Sequence, residues 1–422
     1  MKRAAAFPTG GWILGAALIL LSCSPSPTGR EVRELKSLSP ENQSLLFWYQ
    51  ADYRQEPLYR SLVERFNREN PWGIRVEAVN RGSFQELWNG AVPLLGTPSQ
   101  PDLVLMTPGP EKPMPWAEQT RSFFPYLKSR EWSGRENFTK GAWKSLNRGL
   151  WRSSLVETDR WILPRIPVLL DPNLVYYNRD RLRELGYDAF PSTPEQFRQI
   201  CESAGIRDDL SGFIFPPDAQ TILTMAYAAG WTARDSSGNF QADEMFLEQT
   251  ETFLGDMIRS GAAHPAREKF DGQMEFSSGE YLFSLDTASG LDYYQRSVES
   301  SRSVFQWSTA PFPEDPKKGT LPVWEKSFFL LPSEPSRELA GWLFVRWCLD
   351  PEIQAELAWA ERSLPVNPDA YPFLETLHPG EDRYREILET GKNFRIQTLP
   401  WTEESRTFFE LYNREWTEKL GN

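Results

Sequence analysis

The residue types available for chemistry are uneven. There are two histidines, His264 and His378, and three cysteines, Cys23, Cys201 and Cys348. That excludes Cys/His zinc clusters and leaves little for His-based catalysis. No G-x-x-x-x-G-K-[ST] or G-x-G-x-x-G run is present to cradle a phosphate. Carboxylates and rings are plentiful instead, with 58 Asp and Glu, 17 Trp, 14 Tyr and 26 Phe. Asp286, Thr287, Ser289 and Gly290 form a polar cluster directly after the apolar run Tyr281–Leu285. Packing alone does not account for such a cluster, so it reads as a binding segment. Asp171 and Asp286 could pose as the carboxylate pair of a secreted glycosidase. A net charge of −12 argues against nucleic acid and disfavours an anionic ligand.

The elements that must position these residues alternate strand and helix. Leu45–Tyr49 is a short apolar run, read as a buried strand. Leu58, Leu62, Val63 and Phe66 mark a helix face that Pro71 and Gly73 end. Ile74, Val76 and Ala78 alternate as a strand. Ser83-Phe84-Gln85-Glu86 is a capping box, and Leu103–Met106 a further buried strand. This β-α-β-α-β order argues for a parallel sheet with helices on its faces. A second set follows: strands at Trp161–Pro167, Leu174–Tyr177 and Tyr281–Leu285, and helices at Arg179–Leu185, from Thr193-Pro194, Asp218–Ala229, Asp243–Ser260 and Ser336–Cys348. A length of 422 residues suits two or three domains, and 40% hydrophobic residues suffice for a sizeable core. Cys201 and Cys348 sit in apolar helical patterns and are expected buried and free.

The N-terminus reads as an address. Lys2 and Arg3 precede the apolar Gly11–Leu21, which is too short to span a membrane. Residues 1–22 are therefore a signal peptide. Leu20-Leu21-Ser22-Cys23 resembles a bacterial lipobox, which implies cleavage before Cys23 and lipid attachment to its sulfur. Residues 23–42, rich in Ser, Pro and charge, read as a flexible tether.

The ordered set of motifs resembles the extracellular solute-binding proteins of bacterial ABC importers, of the sugar-binding kind. It comprises Phe47-Trp48-Tyr49 with Phe66–Pro71, Pro101-Asp102-Leu103-Val104, and Leu163-Pro164 through Val168. Val175–Asp180, Pro191–Phe197, Phe276–Glu280 with Ser284–Gly290, Trp307–Pro311 and Ser363–Val366 complete it. The fold implied is a two-lobed α/β binding-protein fold of type II, with three hinge crossings near 169–173, 308–313 and 365–369. Lobe one would be 43–168 with 314–364, and lobe two 174–307 with 370–422.

The resemblance implies an extracytoplasmic, lipid-anchored monomer that captures a mono- or oligosaccharide between closing lobes. It would deliver the sugar to an ABC permease, with no cofactor, metal or nucleic acid. Sugar sites stack ring faces on aromatics and pair hydroxyls with carboxylates and amides. Strand ends facing the crevice offer Tyr49, Gln50, Asp52 and Thr107. Phe84 and Asp171 occupy positions that carry ligand contacts in relatives, as do Asp286, Thr287, Ser289 and Gly290. Trp231, Trp401 and Arg406 complete the candidates. Trp324 and Glu325 stand where relatives often carry a Gly pair, a departure that puts bulk and charge into the site. Glycerol-3-phosphate-type relatives use that Gly pair and a late Arg, so a neutral sugar fits better. Alternatives are the glycosidase, a sensor or surface lipoprotein without transport, and a polyamine or ferric-ion binder.

Overall fold

A computed structural model of the chain describes residues 27–107, 119–135, 138–146, 150–151, 156–157, 161–207, 209–233, 240–268, 271–302, 304–313, 320–377, 380–398 and 403–421. Cys23, the signal segment 1–22 and Trp401 lie outside the described residues.

The first apolar runs fold as their order predicts. Strands β1 (Ser44–Tyr49), β2 (Arg75–Asn80) and β3 (Leu103–Met106) lie side by side, with β1 in the middle and parallel to both neighbours. Helix Glu56–Glu69 joins the first two and buries Tyr59, Leu62, Val63 and Phe66. The stripe begins at Tyr59, one residue after the expected Leu58. Helix Phe84–Ala91 joins the next two. Its capping box is complete, with Ser83 Oγ accepting from the Glu86 N–H and the Glu86 carboxylate accepting from the Ser83 N–H.

The remaining strands are β4 (Val156–Glu157), β5 (Trp161–Ile162), β6 (Ile166–Asn178), β7 (Ser211–Phe215), β8 (Ala263–Pro265), β9 (Tyr281–Thr287), β10 (Trp307–Ala310), β11 (Leu321–Leu330), β12 (Leu364–Pro365) and β13 (Ile396–Thr398). β4 and β5 form a separate hairpin. The main sheet runs β2-β1-β3-β11-β6-β9-β7-β8, with β10 and β12 on β6 and β13 on β11. It is mixed, not parallel throughout. β11 is antiparallel to both β3 and β6, and β9 is antiparallel to β6.

β6 organises the molecule. The sequence suggests two strands flanking Leu169–Asn173, with turn chemistry at Asp171-Pro172. The structure corrects this to one strand of 13 residues. Its backbone is paired through the stretch, on both sides at Leu169 and Leu170 and with β11 alone at Asp171 and Pro172. Leu169, Leu170, Asp171 and Pro172 lie opposite Lys326, Glu325, Trp324 and Val323 of β11, and β12 pairs at Leu169 and Leu170. From Asn173 onward β6 pairs with β9, and from Val175 with β10. One continuous strand thus joins a first half (β2, β1, β3, β11) to a second half (β9, β7, β8).

Each half has its own aromatic core. Phe47, Phe66, Phe328 and Phe344 pack in the first half. Phe197, Phe213, Phe283 and Phe312 pack in the second. The largest cluster extends across β6 to Leu291, Tyr294 and Val298, so the two halves are in contact. Gly212 shows how tightly the second half is built. A Cβ there would meet the Ala262 carbonyl oxygen at 2.3 Å and the Cys201 Cα at 2.7 Å, so the helix Pro194–Gly205 lies against β7 only because glycine has no side chain. Cys201 and Cys348 are buried and free, and burial pushes both thiols up.

Candidate functional site

The middle of β6 carries the site. Side chains alternate along a strand, so Asp171 and Asn173 share a face. Trp324, directly opposite Asp171 on β11, shares it too. The Trp324 Nε1–H donates to Asn173 Oδ1 at 3.0 Å, which fixes the indole plane over the strand. Gln220 Nε2 donates to the same oxygen at 2.6 Å, and Asn173 Nδ2 donates to Thr224 Oγ1 at 3.0 Å. Asn173, its carboxamide oxygen accepting twice, is thereby a junction that holds the ring, the strand and the helix Gln220–Ala228 together.

Asp171 is half-buried and accepts from the Ser289 N–H at 3.0 Å. Ser289 Oγ is 2.9 Å from Thr287 Oγ1, and Thr287 lies opposite Asn173. The polar run after β9 therefore meets Asp171. Asp286 stands one position out of phase, opposite Leu174. Its carboxylate accepts from the Thr287 N–H at 2.7 Å. A Cβ on Gly290 would lie 3.3 Å from Asp286 Oδ2 and 3.5 Å from Tyr176 Oη, so glycine leaves room beside that carboxylate. Burial pushes the Asp171 carboxyl up to about 7, and the Asp286 and Glu361 carboxylates add to the shift against the Ser289 hydrogen bonds.

A shift of this direction has a stability consequence. The folded pKa lies above the ordinary value of 3.8, so the folded state binds the proton more tightly. The associated stabilisation is complete below that ordinary value and is lost as pH rises through about 7. Asp171→Asn should remove this falling component, read as the difference between variant and parent urea midpoints across that range. Parallel pH profiles for the two proteins would contradict it.

The first half contributes a second group of polar residues next to Asp171. Lys326, two positions from Trp324 on β11, pairs with the buried Glu361. Glu361 also accepts from Tyr59 Oη at 2.7 Å and from Gln55 Nε2 at 3.0 Å. Gln55 in turn donates its backbone N–H to Asp52 Oδ1 at 2.9 Å. Asp52 is thus a helix-entry residue, and it accepts in addition from the Arg54 guanidinium and from Tyr293 Oη at 2.8 Å. Burial pushes its carboxyl up, but the bonds from Arg54, Tyr293 and two backbone N–H groups outweigh that and hold it below the ordinary value.

Other expected positions lie elsewhere. Tyr49 is a core residue, 1% exposed, with its ring 5.3 Å from Phe47 and 4.7 Å from Tyr59. The reason is alternation, which turns it inward with Phe47. Glu325 lies on the opposite face from Trp324 and pairs with the buried Arg165 at 2.9 Å. It therefore puts no charge beside Trp324. Trp231 packs on Tyr227 and Phe409 in the second core. Phe84 is half-buried and stacks on Trp88, while Thr107 donates its N–H to Gln50 Oε1 at 3.0 Å. Arg54, Gln55, Asn173, Gln220, Tyr293, Lys326 and Glu361 were not anticipated. Two of them had a usable signal. Gln55 stands three residues after Asp52, as in a helix-entry turn, and Glu361 lies two residues before the Ser363–Val366 motif. A groove of about 790 Å³ between helices Glu244–Arg259 and Glu403–Gly421, lined by Glu248, Glu251, Tyr412 and Trp416, contains none of these residues.

The family model of the bacterial extracellular solute-binding proteins matches residues 51–355. The chain belongs to that family. No curated protein matches the sequence. Among solved structures the fold is similar to the cyclic α-maltosyl-1,6-maltose binding protein of Arthrobacter globiformis, at TM-score 0.69 and 15% identity over 90% of this chain and 93% of that one. It is similar to the sugar-binding protein MalE of Xanthomonas citri, at TM-score 0.69 and 17% identity over 90% and 92%. It is also similar to an ABC substrate-binding protein of Listeria monocytogenes in complex with cycloalternan, at TM-score 0.67 and 14% identity over 90% and 94%. Family membership makes this an extracytoplasmic solute-binding protein with the two-lobed α/β fold. Among the described residues no helix is long and apolar enough to cross a membrane.

Proposed function

We propose that the chain captures a neutral sugar, a mono- or oligosaccharide, between its two halves and hands it unchanged to an ABC permease. One observation carries this reading. Where β6 passes from one half to the other, a fixed indole stands beside a half-buried carboxylate and a hydroxyl pair. An apolar plane adjoining hydrogen-bonding groups is what a pyranose ring requires. Of the similar structures named above, one is a cyclic α-maltosyl-1,6-maltose binding protein, one a sugar-binding protein and one a complex with cycloalternan, which supports the same ligand class here. Asp171, Ser289, Gly290, Asp286, Trp324 and Asp52 would line the ligand. Phe84 and Thr107 would stand at its margin.

Closure is the mechanism. Ligand touches one lobe, the second folds over it, and the contacts made only when shut shift the equilibrium. Lobe one is residues 43–168 with 314–364 and lobe two is 174–307 with 370–422, joined near 169–173, 308–313 and 365–369. The protein acts as a monomer, is anchored through a lipid on Cys23 after residues 1–22 are removed, and performs no chemistry on its ligand.

A tryptophan-fluorescence and thermal-shift screen of mono- and oligosaccharides, with glycerol phosphates and polyamines alongside, tests the solute class. A ligand that binds only the folded state must raise its stability. The expected result is a saturable shift with a sugar. A response confined to phosphates or polyamines would overturn the sugar reading.

A further inference from the structure

We propose that the sugar-free protein is held shut by a charge clasp across the mouth of the cleft, formed by Asp52, Arg54, Asp292, Tyr293 and Arg362. This rests on the reading of the two halves as closing lobes. The clasp joins three distant stretches of chain. Asp52 and Arg54 lie in the turn between β1 and the helix Glu56–Glu69, in the first half. Asp292 and Tyr293 open the helix Leu291–Ser300 that follows β9, in the second half. Arg362 ends the helix Pro351–Glu361, just before β12 returns to β6.

The charges alternate without a gap. Arg54 Nη2 donates to Asp52 Oδ2 and Arg54 Nη1 to Asp292 Oδ2, each at 2.8 Å. Arg362 Nε takes the other oxygen, Asp292 Oδ1, at 2.8 Å. Tyr293 Oη closes the ring onto Asp52 Oδ2 at 2.8 Å, and the Arg54 guanidinium lies 4.1 Å over the Tyr293 ring. Arg296 extends the seam by donating to Tyr53 Oη at 2.9 Å. Arg362 is itself held in place, with its guanidinium 3.6 Å over the Trp359 ring. Its backbone adopts φ +53°, a left-handed conformation unusual for a residue with a side chain. It is the left-handed cap that ends the helix, closed by the Arg362 N–H on the Trp359 carbonyl at 3.2 Å and the Ser363 N–H on the Ala358 carbonyl at 3.0 Å.

These pairs differ from ordinary surface pairs in two respects. They form a network of two cations and two anions, and their side chains are only 14–27% exposed. All the contacts between Asp52 or Arg54 and residues 292 and 293 must break for the halves to part. The clasp therefore favours the shut form with no sugar present. Sugar enters only from the minor open form, so association is slow and the apparent affinity is lowered by the open fraction.

The test uses the full chain on a Cys23→Ser background, with spin labels at Glu77→Cys on β2 and Ile206→Cys after the helix Pro194–Gly205, both exposed positions. Distances are measured without sugar in the parent, in Arg54→Ala and in the near-isosteric Asp292→Asn, and in the parent at molar salt. The expected result is a shift to longer distances in both variants and in salt, with sugar association faster by roughly tenfold in the variants. Identical distance distributions in all four samples, with the circular dichroism of both variants unchanged, would overturn the clasp. Longer distances in the variants with no sugar bound by any sample would leave the clasp standing and overturn the sugar reading instead.

Discussion

Glu361→Ala is expected to destabilise the protein by about 3–5 kcal/mol, the range for removing one partner of a buried ion pair. Glu361 is 6% exposed, and so is Lys326. The carboxylate accepts from the Lys326 ammonium, Tyr59 Oη and Gln55 Nε2. Alanine would leave a buried cation and two buried donors without their acceptor, and each keeps its full desolvation cost. A fall in the urea midpoint at constant slope is the readout. The paired substitution Glu361→Met with Lys326→Met removes both charges and should recover most of the loss. A single variant with the parent's midpoint would contradict the account of this cluster.

Trp324→Ala should weaken sugar binding by roughly thirtyfold or more, the loss expected when a buried aromatic anchor is truncated. Because deleting a buried ring also costs about 3–5 kcal/mol of stability, Trp324→Phe is the informative companion. Phenylalanine keeps an apolar plane but loses part of the ring area and the Nε1–H bond to Asn173. Its affinity should fall between those of parent and alanine variant. Unchanged affinity in the folded alanine variant would remove Trp324 from the ligand site.

The legible and illegible parts of this molecule divide along physical lines. Local signals carried the first three strands, the Ser83 capping box and the Thr193-Pro194 helix start, because hydrophobic period and caps act within a few residues. The continuity of β6 through Asp171-Pro172 was not legible. Proline next to aspartate suggests a turn, and only pairing with β11 and β12, more than a hundred residues downstream, keeps the strand extended. Asp171 and Ser289 could be nominated because each follows or sits in a recognisable motif, and Trp324 because it stands where relatives often carry a Gly pair. Glu325 was misplaced because adjacent strand residues face opposite ways, and no local signal says which of Trp324 and Glu325 turns inward. Its partner Arg165 lies 160 positions away. Arg54, Asp292 and Arg362 read as ordinary surface charge until the fold sets them within 3 Å of one another's partners.

The most direct test of the central claim is a calorimetric titration of the full chain with the sugar that the screen selects, followed by recovery and mass analysis of that sugar. Capture between two closing halves predicts a saturable heat at one sugar per chain, lost in Trp324→Ala, with the ligand recovered at its original mass. Recovery of cleaved products, or the absence of saturable heat with every sugar tried, would contradict it.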